Sequence, residues 1–247
     1  MTLPSGQHQT EIQRNLGAWN DKTLLRDIYG SFYERIIGLM DPSIPGRIVE
    51  IGSGIGNLKE HLPEAICTDL FANPWLDLVC DGYELPFRDG SLSHLILFDV
   101  FHHLQWPAAF LKEARRVLHR SGRLILFEPF MSVSSLAVYG WFHHEPIGLR
   151  QEIETAAQAP ANRDYYAAQG NATRLFFGRE SLGWPPGWRL FHAEAVSSFS
   201  YLLSGGFSKP SLYPRRWLSG LQKVDASLSR WPRLFGARCL VGLLPSV

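Results

Sequence analysis

The chain has 247 residues, 45% of them hydrophobic and 19% charged, enough to bury a sizeable core without staples. Its 24 Lys and Arg against 23 Asp and Glu leave a formal charge of +1, which excludes a globally basic nucleic-acid binder and an acidic disordered chain. Three widely spaced cysteines, Cys67, Cys80 and Cys239, with no CxxC, speak against a disulfide framework or a cysteine-rich zinc site.

The first residues show no basic region leading into an apolar one, and no stretch reaches the roughly 20 apolar residues of a membrane span, so a cytoplasmic location is expected. Between residues 10 and 40, Leu16, Trp19, Leu24, Tyr29, Phe32 and Ile36 recur at steps near three and four, which predicts one or two amphipathic helices. Asp41-Pro42 and Pro45-Gly46 stop that pattern. A first strand, Arg47 to Ile51, runs into the glycine-rich turn Gly52-Ser53-Gly54-Ile55-Gly56, followed by a short helix from Leu58 to Leu62. Further strands are predicted at Ala65 to Asp69, Leu76 to Cys80 and His94 to Phe98. Pro107 opens a helix whose stripe is Phe110, Leu111, Ala114 and Val117, closed by Ser121-Gly122, and Arg123 to Phe127 is a fifth strand. Trp188 to Ser200 and Ala237 to Leu244 read as two late strands. Strands alternating with crossovers imply an α/β fold with a mostly parallel sheet and helices on both sides.

Ligands of such sheets bind beyond the carboxyl ends of the strands, where the glycine turn falls. Three acids follow strands there: Glu50, Asp69 and Asp81. A carboxylate ending the second strand suits two ribose hydroxyls, and one ending the third can accept from an adenine amine. The glycine spacing is GxGxG, not the GxGxxG that sets a helix N-terminus on a pyrophosphate. Glu50, just before the glycines, suits a cationic amino group or sulfonium better than a phosphate. The implied ligand is an adenosine with a positive, amino-acid-like end. An NAD(P)-linked oxidoreductase and a non-catalytic scaffold on the same sheet are the alternatives, the first disfavoured by the glycine spacing and Glu50.

Val49-Glu50-Ile51-Gly52-Ser53-Gly54-Ile55-Gly56-Asn57, Thr68-Asp69, Asp81 through Ser91, Phe98-Asp99-Val100-Phe101-His102-His103 and Glu113 through Leu118, in series, resemble the class I S-adenosylmethionine-dependent methyltransferases. The likeness covers about residues 47–130 and is closest to the small-molecule, type 11-like branch. It implies a Rossmann-like, doubly wound sheet of seven strands with an N-terminal helical cap (1–46) and a late antiparallel strand. The chain is then one domain, 1–247, with 47–130 on the cofactor and 131–247 on the acceptor. It also implies that Gly52, Ser53, Gly54 and Gly56 wrap the methionine part, with Glu50 at its amino group. Asp69 and Leu70 would lie at the ribose, Asp81 and Gly82 at adenine, and Asp99, Val100 and Phe101 beside the methyl-bearing sulfur. Trp19 and Arg26, on one face of the leading helix with Lys22 and Tyr29, are expected to cover the cofactor.

Methyl transfer to a hydroxyl needs a base, and histidine titrates in the right range. His102 and His103 follow the fourth strand on the methyl side, and His143 and His144 follow the fifth, so these four are the catalytic candidates. No metal site is expected, because His143-His144-Glu145 lacks metal-ligand spacing. The acceptor is expected to be a small molecule, a saccharide or a lipid-linked intermediate, methylated at oxygen. Apparent neutrality hides an asymmetry: from Tyr201 onward there are seven cations against the single acid Asp225. That basic, aromatic-rich tail is a candidate for a phosphate-bearing acceptor or for peripheral contact with an anionic membrane. Nucleic acid is not expected as a partner.

Overall fold

The computed structural model describes residues 5–142, 146–162, 166–178 and 186–246. Two leading helices, α1 (Ser5–Asp21) and α2 (Thr23–Gly38), precede β1 (Arg47–Ile51). The strands β2 (Ile66–Asp69), β3 (Leu78–Val79) and β4 (Leu92–Phe98) follow, then α3 (Pro107–Val117) and β5 (Leu118–Pro129). Beyond them lie α4 (Val133–Phe142), α5 (Asn171–Phe177), β6 (Trp188–Val196), α6 (Phe199–Leu203), α7 (Leu218–Leu228), α8 (Pro232–Phe235) and β7 (Arg238–Pro245). The seven strands form one sheet in the order β3-β2-β1-β4-β5-β7-β6. All pairings are parallel except those of β7, which runs antiparallel to both β5 and β6.

Strand β4 is buried along its whole length, and the alternation of its side chains divides the core in two. Leu95 and Leu97, with Leu124, Leu126 and Val241 of β5 and β7, face α3 and α5. Ile96 and Phe98, with Ile125, Phe127 and Leu240, face α1 and α2, meeting Tyr29, Phe32 and Ile36. The leading helices therefore cover one face of the sheet.

Several boundaries differ from the sequence expectation, each for a local reason. The segment after the glycines is a single 3-10 turn, Asn57–Glu60, entered through left-handed Gly56. The third strand shrinks to Leu78–Val79, preceded by Asp77, whose carboxylate accepts the Cys67 amide at 2.8 Å. Ser121-Gly122 does not close α3. That helix ends at Val117, and pairing between β4 and β5 jumps from Leu92–Leu118 to His94–Arg123, so residues 119–122 bulge opposite Ser93. Strand β6 stops at Val196 because the buried Asp225 carboxylate accepts from the amides of Phe199 and Ser200 and starts α6 instead.

Candidate functional site

Strand β1 delivers Glu50 and Ile51 to the turn at its carboxyl end. Gly52, Gly54 and Gly56 all have positive φ, which glycine adopts without penalty. A Cβ on Gly52 would collide with Val100 at the end of β4, and one on Gly56 would stand 3.0 Å from the Trp75 carbonyl oxygen. On Gly54 it would meet nothing within 4 Å. Two of the glycines thus make the turn fit its neighbours, and the third leaves the space beside it open. The turn is stitched to β2: Ser53 donates its amide to the Thr68 carbonyl at 2.8 Å, and the Thr68 amide donates to Ser53 Oγ at 3.1 Å. The Asp69 carboxylate accepts from the amides of Gly54 at 3.1 Å and Leu70 at 2.7 Å.

A cavity of about 530 Å³, within the range of small-molecule sites, opens beside this turn. Its wall runs from Glu50, Gly52, Ser53 and Gly54 to Asp99, His102 and His103 beyond β4. Glu50 is 2% exposed, and burial pushes its carboxyl up to about 7 despite hydrogen bonds from Ser53 and Cys67. Near neutral pH such a carboxyl is only partly ionised, and a cation arriving beside it favours the charged form.

At the far end, β5 presents Glu128, fully buried, to the start of the 3-10 turn Phe101–His103. Its Oε1 accepts from the amides of Val100 (2.8 Å) and Phe101 (2.7 Å), and its Oε2 from His102 Nδ1 (2.7 Å). A carboxylate oxygen that accepts from the imidazole places a His102 proton on Nδ1. His103 Nδ1 lies 3.1 Å from the Tyr166 carbonyl oxygen, which places a proton there too. The two rings are 4.1 Å apart. Asp99 turns the chain at φ 57° and pairs with Arg238, a 3% exposed guanidinium that also lies over the Tyr201 ring at 4.7 Å. Asp99, His102 and Glu128 bring ligand-type atoms within 4.8 Å of one another. Arg238 already supplies the positive charge beside Asp99.

The rim comes from α1 (Glu11, Arg14, Asn15) and the loop Gly205–Lys209. Lys22, between α1 and α2, ties that loop down by donating to the carbonyls of Gly206 (2.6 Å) and Lys209.

The cavity thus gathers Glu50, Gly52, Ser53, Gly54, Asp99, His102 and His103, and Asp69 stands behind its floor. Other expected site residues lie elsewhere. Asp81 Oδ1 accepts the Tyr83 amide at 2.9 Å, and Gly82 packs near Phe110, outside the cavity wall. Phe101 is core, against Phe110 and Phe176. Trp19 is buried and donates to Glu60 at 2.9 Å, while Arg26 caps the end of α1 through the carbonyls of Trp19 and Asn20. The α1 cation at the cavity is Arg14, not Arg26. His143 and His144 lie outside the described residues. Sequence reading missed Glu128 and Arg238. Glu128 had a usable signal: a charged residue closing the apolar run Leu124 to Phe127 of a doubly buried strand needs a buried partner.

Residues 49–126 match the model of a family described as a methyltransferase domain, of type 11. No curated protein matches the chain. Among solved structures it is similar to a geranyl diphosphate methyltransferase complexed with S-adenosylmethionine, at 12% identity over 87% of this chain and 85% of that one, with a TM-score of 0.55. It is also similar to the geranyl diphosphate C-methyltransferase of Streptomyces coelicolor, at 11% identity over 88% and 81% with a TM-score of 0.55. A third is an S-adenosylmethionine-dependent methyltransferase of Thermotoga maritima, titled a possible histamine N-methyltransferase, at 14% identity over 96% and 99% with a TM-score of 0.53. At these identities the likeness is one of fold. The family match, the strand order and the motif series define an enzyme that transfers methyl groups from S-adenosylmethionine. Residues 49–126 carry the likeness to the type 11 branch, within a sheet of the class I methyltransferase fold.

Proposed function

We propose that this enzyme methylates an oxygen of a small-molecule, saccharide or lipid-linked acceptor, with His102 and His103 handling the acceptor's proton. The observation that carries the reading is one cavity that has the glycine turn and Glu50 at one end and the imidazoles of His102 and His103, each held through Nδ1, at the other. The cofactor supplies an electrophilic methyl on a sulfonium. That methyl would pass to the acceptor oxygen with the electron pair left on sulfur, and an imidazole of His102 or His103 would take the acceptor's proton. Glu50 suits the cationic amino group, Gly54 leaves room for the methionine chain, and Asp69 suits the ribose hydroxyls. Asp81 remains the proposed adenine contact. Glu128 is a positioning residue, which holds His102 through Nδ1 and orders the turn that carries both histidines. His143 and His144 stay as candidates on the acceptor side. We further infer one domain over 1–247, whose segments beyond residue 130 shape the acceptor end through Val138, Gln169, Tyr201 and Phe207.

The test joins calorimetry with S-adenosylhomocysteine to turnover on a panel of hydroxyl, amine and carbon acceptors. Binding with oxygen methylation is expected. His103→Ala and Glu128→Gln should each lower turnover on the order of 100-fold, within the usual worth of a positioned base, with cofactor affinity unchanged. For Glu128→Gln, the pH profile of the residual rate should shift, as a purely structural loss would not produce. No cofactor heat, or product methylated only at nitrogen or carbon, would refute the reading.

A further inference from the structure

The seven cations from Tyr201 onward divide by their surroundings. Arg238 is buried against Asp99, Arg215 pairs with Asp27 of α2, and Lys209 lies at the cavity rim. The segment's one acid, Asp225, is buried and takes hydrogen bonds from Ser197, Phe199 and Ser200, so its charge is turned inward. Arg216, Lys223, Arg230 and Arg233 remain, all exposed, and no salt bridge engages them among the described residues.

Each of the four is followed directly by an exposed apolar residue: Trp217 (56% exposed), Val224, Trp231 (54%) and Leu234. Arg216-Trp217 lies in the 3-10 turn before α7, Lys223-Val224 in α7, and Arg230-Trp231 in the turn between α7 and α8. The pairs thus set exposed basic and apolar side chains side by side along this segment, while Leu218 and Asp225 face inward. Gly220 and Ser227, also exposed, are small.

We propose that this face docks on an anionic lipid surface. Tryptophan favours the headgroup level of a bilayer, and each basic residue there gains from lipid phosphate. A lipid layer offers negative charge directly over hydrocarbon at every register, which matches exposed basic side chains each next to an exposed apolar one. A folded partner would have to match four cations with placed acids. No helix among the described residues is long and apolar enough to cross a membrane, so the contact is peripheral. The same segment lines the cavity through Gly205–Lys209 before it reaches this face, which keeps the active cavity close to the bound surface in the chain.

The test is co-sedimentation of the full chain with phosphatidylcholine vesicles, with and without phosphatidylglycerol. Binding is expected only with the anionic lipid and should weaken as salt rises. At about fivefold per basic residue, Arg216→Gln/Lys223→Gln/Arg230→Gln should lose roughly 100-fold in partitioning. Trp217→Ala/Trp231→Ala should lose binding too, with S-adenosylhomocysteine affinity and melting temperature unchanged in both variants. Equal binding to neutral vesicles, no binding to anionic ones, or no salt dependence in the unaltered chain would overturn the proposal. So would a concentration-dependent dimer that the tryptophan variants abolish while vesicles bind nothing. Loss of cofactor binding or methyl transfer would count against the proposed function and leave this result standing.

Discussion

Glu50 carries the sharpest conflict between stability and function at the scale of a residue. Burial raises its carboxyl from 4.5 to about 7, so holding it charged in the empty site at pH 8 costs roughly 3 kcal/mol. The folded state keeps the proton that the unfolded state would release between those values. Glu50's stabilising contribution is therefore complete below pH 4.5 and lost as pH rises through 7. Glu50→Gln should raise the melting temperature of the empty protein at pH 8 by several degrees, with little gain at pH 4.5, while weakening cofactor binding strongly. Binding to the native protein at pH 6 should release a proton, read by calorimetry in buffers of different ionisation enthalpy. Binding with no proton released would show that Glu50 does not meet the cationic group. Glu50, the glycines and Asp69 were legible because their spacing along a strand and turn is local. Glu128 and Arg238 were not, since their roles arise from strands β5 and β7 meeting at the end of β4, a long-range pairing that no local pattern encodes.

Among the elements, the join between α2 and the sheet rests on two side chains. His94 of β4 is buried, and its Nε2 accepts the Asp41 amide at 3.0 Å. Arg123 of β5 donates to the Leu39 carbonyl at 2.5 Å and to Asp41 at 3.1 Å. Burial, reinforced by the Arg123 guanidinium and opposed by Asp41, pushes His94 from 6.5 down to about 4. This contribution is present above pH 6.5 and lost as pH falls through 4. Its slope opposes that of Glu50 where the two windows overlap, so the unaltered protein should show a shallow dependence between pH 5 and 6.5. Urea unfolding of Glu50→Gln should reveal stability falling on acidification over that range, and His94→Gln the reverse slope. Parallel curves for both variants would refute the assignment. Element positions were readable wherever periodicity was strong, as in α2, β4 and α3. Boundaries moved where a side chain from elsewhere took over the backbone, as Asp225 does at the start of α6 and the bulge at residues 119–122 does after α3.

For the whole molecule, near-neutral charge is an average over unlike parts. Glu50 and Asp99 line the cavity, the buried Arg238 balances Asp99, and four cations of the C-terminal segment face outward. The core shows the same kind of division: the helical cap and the sheet share one cluster, in which Ile96, Phe98, Ile125 and Phe127 are covered by Tyr29, Phe32 and Ile36. Exposing four large apolar side chains forfeits roughly 8 kcal/mol at about 2 kcal/mol each. That is comparable with the entire folding stability of a typical domain, about 5–15 kcal/mol. The cap therefore cannot behave as a detachable lid. Thermal unfolding should give one transition, coincident by far- and near-ultraviolet circular dichroism, with calorimetric and van't Hoff enthalpies equal. Deletion of residues 1–46 should yield an aggregating chain that binds no S-adenosylhomocysteine, although the glycine turn, Glu50 and Asp69 are all retained. A truncated chain that stays monomeric and unfolds cooperatively would divide the molecule into two units and overturn the single-domain reading.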